Sequence, residues 1–421
     1  MEQNGRIFEG GLTMKSLNRW VYAIIGVIVL LCAGLVYAWS VMSKPIGANN
    51  PDWTAAELSL TFTLVMALFC VGCLIAGFLS KKVSPKIYLI LAGILFIIGF
   101  MIASLTGESP AMLYIGFGVF CGLGSGFAYN AIMSTMSQWF PDKQGMISGI
   151  MLMGFGLSAF IVGKLYAFVT PTDGADTWKM TFRMMGIIVC VILIVCGFIF
   201  AKPKADFVPP TAAKKKAVRE PASDITPGQM VRKPAFWMYY IWAIVVSAAG
   251  LVLVSQASGI ATQVGPNVSD GNIATVVGLI SILNGIGRVF FGTLFDKKGH
   301  KTTMILDMII FIVAGLILIL AIVSGNFLFI VVGFVVGGFA YGGVTPTNSA
   351  LISDFFGRTN YSMNFSLINT NLIIASFAST IAGKLFDNTG SYLATIFMLI
   401  GCVIVGFVVF FGVRRPNSAN K

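Results

Sequence analysis

Arg288 lies inside the run Ala274–Phe295, which otherwise reads as a membrane-spanning helix whose water boundary is marked by Asp296 and Lys297. At about 1.5 Å of rise per residue, it stands about 12 Å inside that boundary, near the middle of a hydrocarbon layer about 30 Å thick. A cation at that depth costs at least about 2.5 kcal/mol unless it faces water or a counter-charge. The chemistry on offer is anion recognition: a guanidinium stays charged at every physiological pH, and its planar fork matches a carboxylate with two parallel hydrogen bonds. The alternative is a structural arginine bonded to helix carbonyls or to Asn284, one turn earlier. Neutral groups in other apolar stretches are candidates to complete a site: Tyr37 and Trp39, Tyr129, Tyr341, and the trio Phe365, Asn369 and Asn371. Tyrosine hydroxyls can donate to a carboxylate while the rings enclose its apolar part.

Other chemistries find no support. The chain carries no nucleotide-binding glycine loop, hydrolase triad, haem ligand pair or metal-ligand cluster, so neither an enzyme nor a cofactor is expected. Cys70 and Cys73 form a CxxC, but they stand one turn apart in an apolar helix with no second pair to complete a zinc site. They read as small packing residues, like the other five of the seven cysteines, all within apolar stretches. Lys164 and Lys384 stand near span ends, where lysine can reach the headgroups.

The elements that hold these residues follow from composition. The sequence is 57% hydrophobic and 10% charged, which excludes an ordinary soluble domain. Apolar stretches of about 20 residues recur about twelve times between residues 20 and 413, so the fold class is an all-α multi-pass membrane protein. The first stretch, from Trp20, lacks a small-residue cleavage site and is kept as a helix. The net charge of +12 is no sign of nucleic acid, because its lysines and arginines cluster in alternate connections. That asymmetry predicts an even number of spans with both termini cytoplasmic, in the inner (cytoplasmic) membrane. Residues 202–233, rich in Pro, Ala and Lys, read as a cytoplasmic linker between a six-span half at 1–201 and another at 234–421.

The halves repeat each other. Gly126-Phe-Ala-Tyr129 recurs as Gly338-Phe-Ala-Tyr341, Gly163-Lys-Leu165 as Gly383-Lys-Leu385, and Gly77-Phe-Leu-Ser-Lys-Lys as Gly292-Thr-Leu-Phe-Asp-Lys-Lys, in one order and phase. Parallel repeats about an axis along the membrane normal imply a central site and alternating access by rocking. Here the chain resembles the major facilitator superfamily over essentially its whole length. The segment Gly292 to Lys301, with Asp296, Lys297 and Gly299, is similar to that superfamily's loop signature, and implies a conformational loop. The first-half copy departs from it, with Ser80 and Lys81 where the acid is expected.

More narrowly, the chain resembles the oxalate/formate antiporter family and related bacterial monocarboxylate transporters. Gln138-Trp-Phe-Pro-Asp-Lys-Gln-Gly145, Pro346-Thr-Asn-Ser349, Asp354-Phe-Phe-Gly357 and Gly287-Arg288 carry this likeness. The resemblance implies that Arg288 grips a substrate carboxylate and that Tyr37, Tyr129, Tyr341 and Phe365 match aromatic cavity positions. Phe155 stands where the family often has tyrosine. The family's antiporter of the dicarboxylate oxalate carries a second cation, a lysine, where this chain has Ile368 with Asn369 beside it. One guanidinium leaves half of a dianion uncompensated in a low-dielectric cavity, at several kcal/mol. The expected substrate is therefore a small monocarboxylate such as lactate, pyruvate or formate, carried by a monomer in the lipid bilayer. Where some animal relatives place an acid one turn before the arginine, this chain has Asn284. Asp307 lies only about 9 Å inside its boundary, and His300 is expected in a loop, so proton symport and anion exchange both stay open. An exporter of larger amphipathic anions or drugs is the alternative, with a carboxylate sensor behind it.

Overall fold

A backbone crossing lipid has to satisfy its own amides and carbonyls, and the apolar stretches do so as helices. The computed structural model describes residues 18–53, 55–170, 176–203, 207 and 223–416, and among these there is no strand. The first half contains α1 (Arg19–Ala33, a 3-10 stretch Gly34–Ala38, then Trp39–Asn49), α2 (Ala55–Leu79) and α3 (Pro85–Ala103). It continues with α4 (Ala111–Leu113, a π stretch Tyr114–Cys121, then Gly122–Trp139), α5 (Gln144–Val169) and α6 (Thr177–Ile199). The second half opens with α7 (Pro234–Val264).

Eleven helices among the described residues are long and apolar enough to cross a membrane. The discrepancy with twelve is resolved at Gly299. The continuous helix Asp270–Ser324 is two spans, α8 and α9, parted where Gly299 adopts φ 76° and ψ −178°, a backbone region that disfavours any side chain. After them come α10 (Phe327–Tyr341 and Val344–Phe356, broken at Gly342–Gly343), α11 (Tyr361–Asn369 and Asn371–Thr389, broken at Thr370) and α12 (Leu393–Phe410).

The repeats meet equivalent neighbours. A Cβ on Gly126 in α4 would stand 2.9 Å from Gly72 Cα in α2, and one on Gly338 in α10 would stand 2.6 Å from the Ile280 carbonyl oxygen in α8. Glycine lets backbones approach where lipid supplies no hydrophobic drive. Exposed apolar side chains such as Phe78, Val408 and Phe411 form the surface left for lipid. Of the segment 202–233, residues 204–206 and 208–222 lie outside the described residues. Its far end packs on the second half, with Ser223 Oγ donating to the Phe355 carbonyl at 2.6 Å and Ile225 N to that of Phe356 at 3.1 Å. One end of the bundle carries Lys81, Lys82, Lys297, Lys298 and Arg358 and is called the basic face below.

Candidate anion site between the halves

Arg288 reaches the junction of the halves because α5 is smooth where α8 crosses it. A Cβ on Gly149 would stand 2.8 Å from the Arg288 carbonyl carbon, and one on Gly156 would stand 2.9 Å from Arg288 Nη1. The arginine is only half-buried although protein surrounds it. Nη1 donates to the Leu152 carbonyl of α5, so the alternative of a carbonyl-bonded arginine holds in part, but across the halves. Its Nε is buried with no hydrogen-bond partner, and no hydrogen bond joins it to Asn284, which is itself 7% exposed. No carboxylate pairs with it among the described residues. The groups within its electrostatic reach are Tyr37, Tyr341 and Tyr129.

Three candidate residues stand at interruptions of helices, where backbone irregularity can open a cavity wall. Tyr37 lies in the 3-10 stretch of α1, Tyr341 ends the first part of α10, and Asn369 ends the first part of α11. Tyr37 and Tyr341, like Arg288, keep some accessible surface. Tyr129 is 3% exposed and lies 5.2 Å from the Phe155 ring, which is 5.4 Å from that of Tyr37. Phenylalanine at 155 thus supplies packing where a tyrosine would add a donor.

Other candidates are placed differently. Phe365 is fully buried, stacked on Tyr129 of the first half at 5.8 Å and on Tyr361 of the second at 5.2 Å. Trp39 turns its indole N–H to the Leu58 carbonyl at 3.1 Å, and Asn371 donates to the Ile368 carbonyl at 2.7 Å. Both are structural. Asn369 is 1% exposed and neither of its amide atoms has a partner. The cysteines are free, with Cys70 and Cys73 buried, and no group of three or more metal-ligating residues occurs among the described residues.

One expectation needs correction, and one acid is more enclosed than its place in the chain suggests. His300 is 5% exposed, edge-on to Phe355 at 4.9 Å, because helix continues to either side of Gly299 and draws it inward. Asp307 is 1% exposed and both its carboxyl oxygens lack a partner. Helical rise gives its depth along α9 but not this enclosure, which is lateral, by α7, α8 and α10. No signal in the sequence, short of an acid within an apolar run, could have marked it.

The basic face is closed. Asp296 accepts hydrogen bonds from the backbone amides of Gly145 and Met146, both at 2.8 Å, and so caps the first turn of α5. Gly292 lies against Gly145, whose carbonyl carbon a Cβ there would meet at 2.6 Å, while Lys297 points to solvent. Deeper, Ser148 meets Ser349, and Asn130 Nδ2 donates to Ser366 Oγ at 2.6 Å. Arg358 donates to the Pro141 carbonyl at 3.1 Å. Burial pulls its guanidinium below the usual arginine range, against the opposing pull of Asp354, Asp142, Asp224 and Asp296.

The sequence model described as the Major Facilitator Superfamily matches residues 38–371 and, again, 267–421. The chain belongs to the major facilitator superfamily. Its relatives and fold are those of transporters, not enzymes. The transporter is 26% identical over 398 residues to the oxalate:formate antiporter of Oxalobacter formigenes, covering 93% of this chain and 92% of that one. It is 23% identical over 371 residues to monocarboxylate transporter 13 of Bos taurus, covering 86% and 83%. Among solved structures, the proton:xylose symporter XylE superposes with a TM-score of 0.68 over 95% of this chain and 98% of that one, at 15% identity, a likeness of fold.

Proposed function

We propose that this transporter carries small monocarboxylates, of the size of formate, pyruvate or lactate, between two halves that expose Arg288 alternately to either face. The halves are 1–201 and 234–421, and the basic face is cytoplasmic, with both chain termini on that side of the inner membrane. The observation that carries the reading is the unspent guanidinium: near the middle of the bundle, Arg288 has a partnerless Nε, one backbone acceptor and no carboxylate among the described residues. A carboxylate would take the fork by displacing the Leu152 carbonyl from Nη1, with hydroxyls of Tyr37, Tyr129 and Tyr341 around it. Asn284 and Asn369 would add neutral donors. The printed names of the relatives, for oxalate and formate and for monocarboxylates, support the substrate class.

The preference for one negative charge rests on Asn369 and Ile368, neither of which brings a second cation. Uptake of labelled pyruvate, lactate, formate and oxalate into proteoliposomes, with the native protein and Arg288→Gln, tests it. Saturable monocarboxylate uptake that disappears in the variant is expected. Oxalate preferred over all three monocarboxylates, or no uptake of any of the four, refutes it.

A further inference from the structure

The dipeptide Gly342–Gly343, at the break in α10, has Arg288 on one side and Asp307 on the other. A Cβ on Gly342 would stand 2.7 Å from the Arg288 backbone nitrogen, and one on Gly343 would stand 2.8 Å from the Asp307 carboxyl carbon. Asp307 is enclosed from each neighbouring helix. Phe291 of α8 approaches within 3.0 Å of the same Gly343 position, and Tyr239 of α7 is the titratable group that faces it. The Tyr239 hydroxyl is already spent, donating to Asn348 Oδ1 at 2.6 Å. No lysine, arginine or histidine among the described residues forms an ion pair with Asp307, and neither carboxyl oxygen has a hydrogen-bond partner.

An ionised carboxylate buried without a protein partner is far costlier than a neutral acid. Acids inside membrane spans mark ion and proton pathways more often than they serve packing. We propose that Asp307 is a proton-binding site that couples proton movement to carboxylate transport through the α10 break. In the conformation closed on the basic face it holds a proton. The second part of α10 carries Ser349, which meets Ser148 across the halves, so opening that face releases this segment and admits water to Asp307. The proton then passes from the carboxyl oxygen to water on the basic face; once that face has closed and the opposite one has opened, the carboxylate takes its next proton from water on the opposite side. One anion bound at Arg288 and one proton at Asp307 cross together without net charge.

This rests on the carboxylate reading of Arg288, and the test separates the two. Infrared difference spectra of the purified protein with isotope-labelled aspartate, taken across pH, should show a protonated-carboxyl band that is absent in Asp307→Asn; no substrate is needed. In proteoliposomes, pyruvate uptake driven by an inward proton gradient should acidify the lumen. Asp307→Asn should lose gradient-driven uptake and acidification but keep pyruvate–pyruvate exchange. A missing band, or Asp307→Asn retaining gradient-driven uptake, or losing exchange equally, overturns the proposal. If Asp307→Asn does not fold, Asp307→Glu carries the test: coupling retained with a displaced pH profile supports it, and an unchanged profile overturns it. Native protein that carries none of pyruvate, lactate and formate overturns the carboxylate reading and with it the coupling, leaving the band to decide protonation alone.

Discussion

Substituting Gly292 by alanine should push the transporter open on its basic face. The new Cβ would stand 2.6 Å from the Gly145 carbonyl carbon, where ordinary contact is 3.4–4 Å, so α5 and α8 must part by at least about 0.8 Å. The two hydrogen bonds from Gly145 and Met146 to Asp296, both 2.8 Å, would stretch to about 3.6 Å, beyond useful length. Water can replace part of each bond at this edge, so the closed state loses about 1 kcal/mol per bond, or about 2 kcal/mol. That is about 30-fold in the closed-to-open ratio, enough to bring a population 99% closed down to about three-quarters. Spin labels at the exposed positions Lys82 and Lys298, one in each half, would report it as a new long-distance component in double electron–electron resonance. Gly145→Ala, which meets Gly292 from the other side, should do the same. Distance distributions unchanged in both variants would refute the claim that this contact holds the face shut.

Arg288→Lys keeps the charge but loses the planar fork, and should raise KM for pyruvate about 10-fold or more in proteoliposome uptake. Gly250→Ala would overlap the Tyr341 ring, so Tyr341 must leave its position and substrate affinity should fall in equilibrium binding, while the protein stays folded. Asn369→Leu replaces two partnerless amide atoms with an apolar side chain of similar size. It should raise the thermal midpoint of the purified protein, gaining about 1–3 kcal/mol, while weakening substrate binding. An unchanged or lowered midpoint would mean that the amide has partners in the membrane.

Much of the architecture was legible because lipid leaves so few options. Length of apolar run, the sign of the flanking charges and the glycine repeats predict the spans, and the break at Gly299 returns the count to twelve. Arg288 was legible for the same reason, since a guanidinium in a helix that would otherwise be greasy needs an account. Its resting partner was not, because the Leu152 carbonyl is 136 residues away and carries no side-chain signature. The likeness points to Phe365 as a cavity residue, while its stacking between Tyr129 and Tyr361 is fixed only when the two halves meet and has no signature in the sequence. Asp307 escaped for a related reason: depth along a helix is readable from sequence, whereas enclosure by three other helices is not.

The bond from Arg288 to the Leu152 carbonyl makes the protein its own competitive inhibitor. Any anion arriving at the guanidinium has to displace a backbone acceptor that is always present at fixed position. A hydrogen bond from a charged donor is worth about 1.5–3 kcal/mol, so the apparent affinity of the resting protein is lowered by about 10- to 150-fold relative to a freed arginine. Substrate capture and release of α5 by α8 are then one event, and an anion too weak to displace the carbonyl leaves the halves joined. With a carboxylate bound at Arg288 as proposed, the carrier would give up tight binding and gain a threshold, turning over when substrate is abundant and idling, its two halves clasped, when it is scarce.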